Sequence, residues 1–274
     1  MFVLMKILDL EIGSVILCPG SEPYDPAPLE NVYHYKANAN VVTSLEFERI
    51  LSASGPTMGH LKRPSDDREP RKIAWLQCVG SRDSNQCGNS YCSSVCCMYA
   101  IKDSMIAKEH AGEELDCVIF NMDIRTFGKD YEKYYLRAKD QAGVRFVKAR
   151  VHTVDRIPDT EDLMLRYADD SGDILEEPFD MVVLSTGLEI SQATVQLAGT
   201  LDIDLDHYHF TAGDSFHPVA TSVPGIYACG VLTGPKDIPQ SVIDASAAAG
   251  KVGTRLADSR WTLTKTKELG IGFS

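Results

Sequence analysis

The stretch Lys72-Ile-Ala-Trp-Leu-Gln-Cys-Val79 most limits what this chain can fold into. A short, nearly continuous apolar run reads as a strand buried on both faces, the kind found in parallel sheets. A polar, cysteine-rich loop follows it. Residues 95–110 then carry Val95, Met98, Ile101, Met105 and Ile106 near helical spacing, which predicts a helix. Asp116 to Met122 is a second apolar strand. Tyr131 to Ala142 is a second helix, stopped by Gly143, with Tyr131, Tyr134 and Tyr135 as packing residues. Val144 to Val154 is strand-like again. Strand–helix–strand units joined by short turns imply a parallel sheet covered by helices. Ligands in such folds sit at the carboxyl ends of the strands, and the cysteine loop lies there, directly after Val79.

Before this block, Gly13 to Gly20 reads as a strand ending in glycine. Ser44 to Ser54 reads as a helix, with Thr43 and Glu46 in capping-box spacing. After it, Leu163–Tyr167 and Asp173–Glu177 suggest a hairpin. Phe179 to Gly187 and Pro224 to Gly230 repeat the strand-then-glycine shape. A helix is expected after Gly234, with Pro239 in its first turn. Asp202, Asp204 and Asp206 alternate with Leu201, Ile203 and Leu205, which predicts a half-buried strand with a solvated acidic face. His207 and His209 read as polar loop residues. Residues 258–274 are expected to form a mobile tail, and the G-x-G at Gly270 and Gly272 has no strand before it.

A formal net charge of −12 argues against a nucleic-acid surface and against binding to an anionic membrane. No run of about 18 apolar residues is present, so no membrane-spanning helix is expected. The first residues carry acids and no cleavage site, so they do not read as a signal peptide. A cytoplasmic location follows as the expectation.

Five of the 8 cysteines fall at positions 78, 87, 92, 96 and 97. Clustered cysteines without a secretory signal point to metal or redox chemistry in a reducing compartment. Cys18, Cys117 and Cys229 lie apart in apolar runs and read as buried core residues. A dinucleotide-binding unit would place G-x-G-x-x-G after the strand at 72–79; this chain places Cys78-Val-Gly80 there, so a thiolate loop stands in for a phosphate loop. Cys92, Cys96 and Cys97 straddle a predicted helix start, which stabilises thiolates and any anionic cluster they hold. Soft thiolate ligation suits an iron–sulfur cluster or zinc. Structural zinc favours two separate short-spaced cysteine pairs, each forming a knuckle; no C-x-x-C occurs here, and the adjacent pair Cys96-Cys97 is a poor knuckle. A cluster is therefore the leading reading. A cluster- or zinc-binding scaffold and a thiol–disulfide oxidoreductase using Cys96 and Cys97 are the alternatives.

The run Lys72 to Asp83, the segment Gly88-Asn-Ser-Tyr-Cys-Ser-Ser-Val-Cys-Cys-Met-Tyr-Ala-Ile-Lys102 and the segment Gly234-Pro-Lys-Asp-Ile-Pro-Gln-Ser-Val242 together resemble the A subunit of heterodisulfide reductase and its relatives in quinone-interacting and electron-bifurcating complexes. The resemblance spans roughly residues 10 to 255. It implies a thioredoxin-reductase-like α/β arrangement: a Rossmann-like domain inserted in an FAD-binding domain, with a 4Fe–4S site on Cys78, Cys92, Cys96 and Cys97. It also implies flavin-facing residues at Pro19, Gly20, Thr186, Gly187, Gly230, Val231, Lys236, Asp237, Ile238 and Pro239. Electrons would pass between FAD, the cluster and partner subunits.

Two departures follow from the same comparison. Cys87 is an additional thiol in the loop. The strand–G-x-G-x-x-G–helix unit and the ferredoxin-like cysteine motifs of the family are not in these residues, so the FAD domain reads as partial. The chain is expected to be a truncated product or one half of a split subunit, with a separate chain completing the FAD site. Val231 stands where related flavoenzymes carry an Asp that holds a ribityl hydroxyl, and it cannot make that bond. The expected division is 1–30 with 176–257 as the partial FAD domain, 31–70 as a connector, 71–175 as the Rossmann-like domain, and the tail. Open strand edges are expected near 12–20 and 179–187.

Overall fold

The computed structural model describes residues 11–257; the tail and its Gly270 and Gly272 lie outside the described residues. The chain divides into two compact units, one spanning Glu22–Glu189 and the other formed by residues up to Ser21 with those from Ile190 onward.

The larger unit is built on a five-stranded, all-parallel sheet. Its order is Val41–Thr43, Met181–Thr186, Lys72–Val79, Asp116–Asn121, Arg145–Lys148. The strand at 72–79 lies in the middle, as its two-sided burial requires. Its alternate residues feed opposite cores. Ile73 and Trp75 pack with Phe47, Ile101 and Met105 from the helices Ser44–Leu51 and Cys96–Ala111. Ala74 and Leu76 pack with Leu163, Leu165 and Phe179 from an antiparallel sheet of Val151–Arg156, Leu163–Ala168 and Ile174–Phe179. Phe47 meets Trp75 edge to face at 5.4 Å, and Phe120 meets Tyr167 at 4.9 Å. The Thr43–Glu46 capping box forms as expected. Arg63, buried on the same unit, is held by Asp66, Asp162 and Asp180, which ties residues 63–66 to the antiparallel sheet and to the start of the last parallel strand.

This organisation differs from the expected division in two places. The expected connector 31–70 contributes the edge strand Val41–Thr43 and its helix to the sheet. Met181–Thr186, assigned to the flavin domain, sits between Val41–Thr43 and Lys72–Val79, so it is an interior strand and not an open edge. The reason is that local periodicity identifies a strand but not its neighbours. Pairing is decided by register across long sequence separations, here Val182 with Val41 and with Ala74.

In the smaller unit, Val15–Leu17 pairs in parallel with Ile226–Ala228. Helix Gln192–Thr200 is capped by Ser191. Helix Ile238–Arg255 opens on an Asp237–Gln240 capping box with Pro239 in its first turn. The strand expected at 201–205 does not form. Leu201 closes the preceding helix, Asp202 takes a left-handed conformation (φ 54°), and only a single bridge joins Leu205 to Thr211. Among the described residues no helix is long and apolar enough to cross a membrane.

Candidate functional site

The site begins with a defect in a strand. Cys78 has φ 63°, in the left-handed region that side-chain-bearing residues rarely adopt, and the pairing with Met181–Thr186 slips between Leu184 and Thr186 at this point. Bulges of this kind re-aim a side chain at the end of a strand. Gly80 follows at φ 77°, directly beneath the ring of Tyr24. A β-carbon there would overlap that ring, so glycine is the residue the close approach requires.

The loop from Ser81 to Val95 is held by its own polar side chains. Arg82 N donates to Tyr91 O at 2.9 Å, and Asp83 N to Asn89 O at 2.8 Å. The Asp83 carboxylate accepts from the backbone of Asn85 and Gln86 and is ion-paired with Arg150. Asn89 Nδ2 donates to Gly80 O at 3.0 Å and to Glu189 Oε1 at 2.7 Å. Tyr91 Oη donates to Leu188 O at 2.9 Å, and Leu188 N donates to Ser93 Oγ at 3.0 Å. A polar loop with this many bonds holds one shape and delivers the chain to the helix start at Cys96.

Three of the four predicted thiols come together there. Cys78 and Cys97 both act on Cys96, and all three are buried. The charge pattern follows from that clustering. The Cys78 thiol is drawn down to about 7 by its Cys96 neighbour and by the Arg82 guanidinium, against the opposing effect of burial. Cys97 is also lowered, chiefly by Cys96. Cys96 itself is pushed well up by its two thiol neighbours, Cys78 and Cys97, and by its full enclosure. Arg82 is ion-paired with Asp123, so the cation beside Cys78 is fixed in place.

The fourth thiol, Cys92, stands outside this trio. It is half-buried, and its Sγ accepts from Ser94 N at 3.4 Å. Cys87 is half-buried, its thiol is raised by that burial, and its electrostatic neighbour is Tyr24 rather than the other loop thiols. Among the described residues no three His, Cys, Asp or Glu side chains are arranged to hold a metal ion. The donor set nevertheless suits a soft centre: thiols at a strand end and a helix N-terminus, with an arginine beside them.

The predicted flavin-facing residues divide between the two units. Thr186 and Gly187 belong to the larger one. Thr186 O accepts from Tyr99 Oη at 2.5 Å, Gly187 N donates to Val79 O at 2.8 Å, and Gly187 O accepts from Tyr24 N at 2.9 Å. Pro19, Gly20 (φ 80°), Gly230 (φ 67°) and Val231 lie at the ends of the strand pair in the smaller unit. Lys236 is paired with Asp244 and donates to Thr233 Oγ1 at 2.5 Å. Asp237 caps the helix, and Ile238 is exposed. Arg82, Asp123 and Tyr24 were not legible as site residues. Nothing in their local pattern marks them, and only the tertiary turn of the loop brings them to the thiols.

The larger unit thus carries a cysteine loop and a helix N-terminus at the carboxyl edge of a parallel sheet, and the smaller unit carries glycine-ended strands. The chain belongs to the pyridine nucleotide-disulphide oxidoreductase family, which it matches over residues 6–249. The fold is shared with two solved thioredoxin reductases. That of T. acidophilum has a TM-score of 0.55 at 18% identity, covering 90% of this chain and 66% of that one. That of Lactococcus lactis has a TM-score of 0.54 at 16% identity, covering 89% and 66%.

The resemblance to the A subunit of heterodisulfide reductase extends along the chain. It is 42% identical over 256 residues to the second iron-sulfur A subunit of the CoB–CoM heterodisulfide reductase of Methanopyrus kandleri, covering 92% of this chain and 38% of that protein. It is 40% identical over 259 residues to the corresponding iron-sulfur A subunit of Methanocaldococcus jannaschii, covering 93% and 39%. A protein of Archaeoglobus profundus named for its likeness to the heterodisulfide reductase A subunit is 36% identical over 284 residues, covering 94% and 39%. The chain thus spans about two fifths of the length of these curated relatives.

Proposed function

We propose that this chain is an electron-transfer iron–sulfur flavoprotein component of a heterodisulfide-reductase-like complex. The observation that carries the reading is the convergence of Cys78 and Cys97 on Cys96 at the carboxyl edge of the parallel sheet. Cys78, Cys92, Cys96 and Cys97 would hold a 4Fe–4S cluster, which when bound supplies one-electron transfer. Pro19, Gly20, Thr186, Gly187, Gly230 and Val231, with Lys236 to Pro239, would form this chain's share of an FAD site. Arg82 places a fixed positive charge beside Cys78 and favours the more negative state of whatever the thiols hold. The buried helix start and the bonded loop keep water from the thiols. The partners are other redox subunits, and the free thiols suit a cytoplasmic setting.

The test is iron and acid-labile sulfide analysis of the anaerobically prepared chain, with each cysteine of the loop changed to Ala in turn. Loss of most iron from the variants at Cys78, Cys92, Cys96 and Cys97, with iron retained in Cys87→Ala, is the expected result. Retention of iron in Cys78→Ala with its loss in Cys87→Ala would show the ligand set to be wrong. A chain without iron that still reacts stoichiometrically with disulfides at Cys96 and Cys97 would favour the thiol–disulfide reading, for which the adjacency of these two buried cysteines at the helix start is the specific observation.

A further inference from the structure

The sequence reads Cys18 and Cys229 as separate core cysteines, and the structure corrects this. Cys18 is exposed, Cys229 is buried (4% exposed), and their sulfurs lie 2.9 Å apart. The pairing is built by the backbone. Leu17 and Ala228 are register partners in the parallel pair of the smaller unit, and each cysteine is the next residue. Cys229 N donates to Leu17 O at 3.0 Å, which continues the ladder one step and sets the two residues side by side. Side chains of paired residues point to the same face of a sheet.

Adjacent strands lie about 4.8 Å apart. That spacing falls inside the Cα separation of roughly 4.4–6.8 Å that a disulfide bridges without backbone movement. The sulfurs need only side-chain rotation to bond. The asymmetry of exposure also assigns roles. An exposed thiol can be reached by a small molecule, and a buried one beside it can be reached only by the first.

We infer that Cys18 and Cys229 form a thiol–disulfide exchange site for low-molecular-weight disulfides, separate from the loop thiols. Cys18, as thiolate, attacks one sulfur of the incoming disulfide, whose S–S bond breaks and releases one thiolate. Cys229 then gives its proton to that thiolate or to water and attacks the Cys18 sulfur, which expels the second thiolate. The two protein thiols are oxidised to one disulfide, and the small disulfide is reduced to two thiols. This goes beyond the electron-transfer reading and uses none of its four cysteines.

The experiment treats the reduced full chain anaerobically with oxidised glutathione, quenches in acid, alkylates free thiols and maps peptides by mass spectrometry. The expected result is a Cys18–Cys229 cross-linked peptide pair, loss of both thiols from alkylation, and their recovery on adding dithiothreitol. In Cys229→Ser, a glutathione adduct at Cys18 should persist; in Cys18→Ser, Cys229 should carry none. The wild-type map alone decides the matter if a variant fails to fold. The inference is overturned if wild-type Cys18 ends as a stable glutathione adduct, stays free, or bridges to a second chain while Cys229 remains alkylatable. None of these readouts depends on iron, so failure here is distinct from failure of the cluster assignment.

Discussion

Gly80→Ala tests the geometry that delivers Cys78 to the site. The new β-carbon would overlap Cγ and Cδ1 of Tyr24 and lie 2.6 Å from its Cβ. Those atoms belong to the root of the side chain, not its flexible end. Tyr24 is also buried, and its backbone is bonded to Gly187, so it cannot simply swing aside. Two costs add. Holding a side-chain-bearing residue at φ 77° costs about 1–2 kcal/mol. Overpacking against a buried ring costs about 1–3 kcal/mol. The sum, about 2–5 kcal/mol, corresponds to a fall in Tm of roughly 4–20 °C for a unit of this size, at about 2–4 °C per kcal/mol.

Urea denaturation followed by circular dichroism reads the free energy. The same substitution in a Tyr24→Gly background, which removes the β-carbon as well as the ring, separates the two parts, because the steric part disappears and about 1–2 kcal/mol of backbone cost remains. A Gly80→Ala chain within about 0.5 kcal/mol of wild type would refute the argument, since that is the range of an ordinary surface change. An equal cost in both backgrounds would refute the role of Tyr24.

The larger unit carries two further expectations. Asp103 is fully buried on the helix Cys96–Ala111, and among the described residues the cation beside its carboxylate is Lys102, at 3.3 Å. Burial raises its pKa to about 6, partly offset by Lys102. The folded state then binds this proton more tightly than the unfolded state, so stability falls as pH rises from about 4 to about 6 and is level above. Asp103→Asn removes that slope, so its stability relative to wild type should grow by up to about 3 kcal/mol between pH 4 and 7, at 1.36 kcal/mol per pKa unit; parallel pH profiles for the two chains would count against it. NADH should show no saturable binding to the larger unit, because Cys78-Val-Gly80 stands where a phosphate loop would be; titration calorimetry giving micromolar affinity would overturn this.

Much of the architecture is written locally. The apolar run at 72–79, the helical spacing after Val95 and the Thr43–Glu46 cap each form as read, because each pattern is carried by residues close in sequence, whatever partners later bury it. The clustering of cysteines likewise marks the site without any structure. Tertiary structure alone decided who pairs with whom. Val41–Thr43 enters the sheet through a partner about 140 residues away, a distance over which periodicity carries no information. The same holds within the site. The family resemblance implied four thiols, Cys78, Cys92, Cys96 and Cys97, without ranking them; the strand bulge at Cys78 sets it and Cys97 against Cys96 and brings in Arg82. Cys18 and Cys229, 211 positions apart, became a pair only because two short parallel strands end in register. Local preference sets which residues form strands and helices, whereas contact between distant residues depends on the register that the whole core enforces.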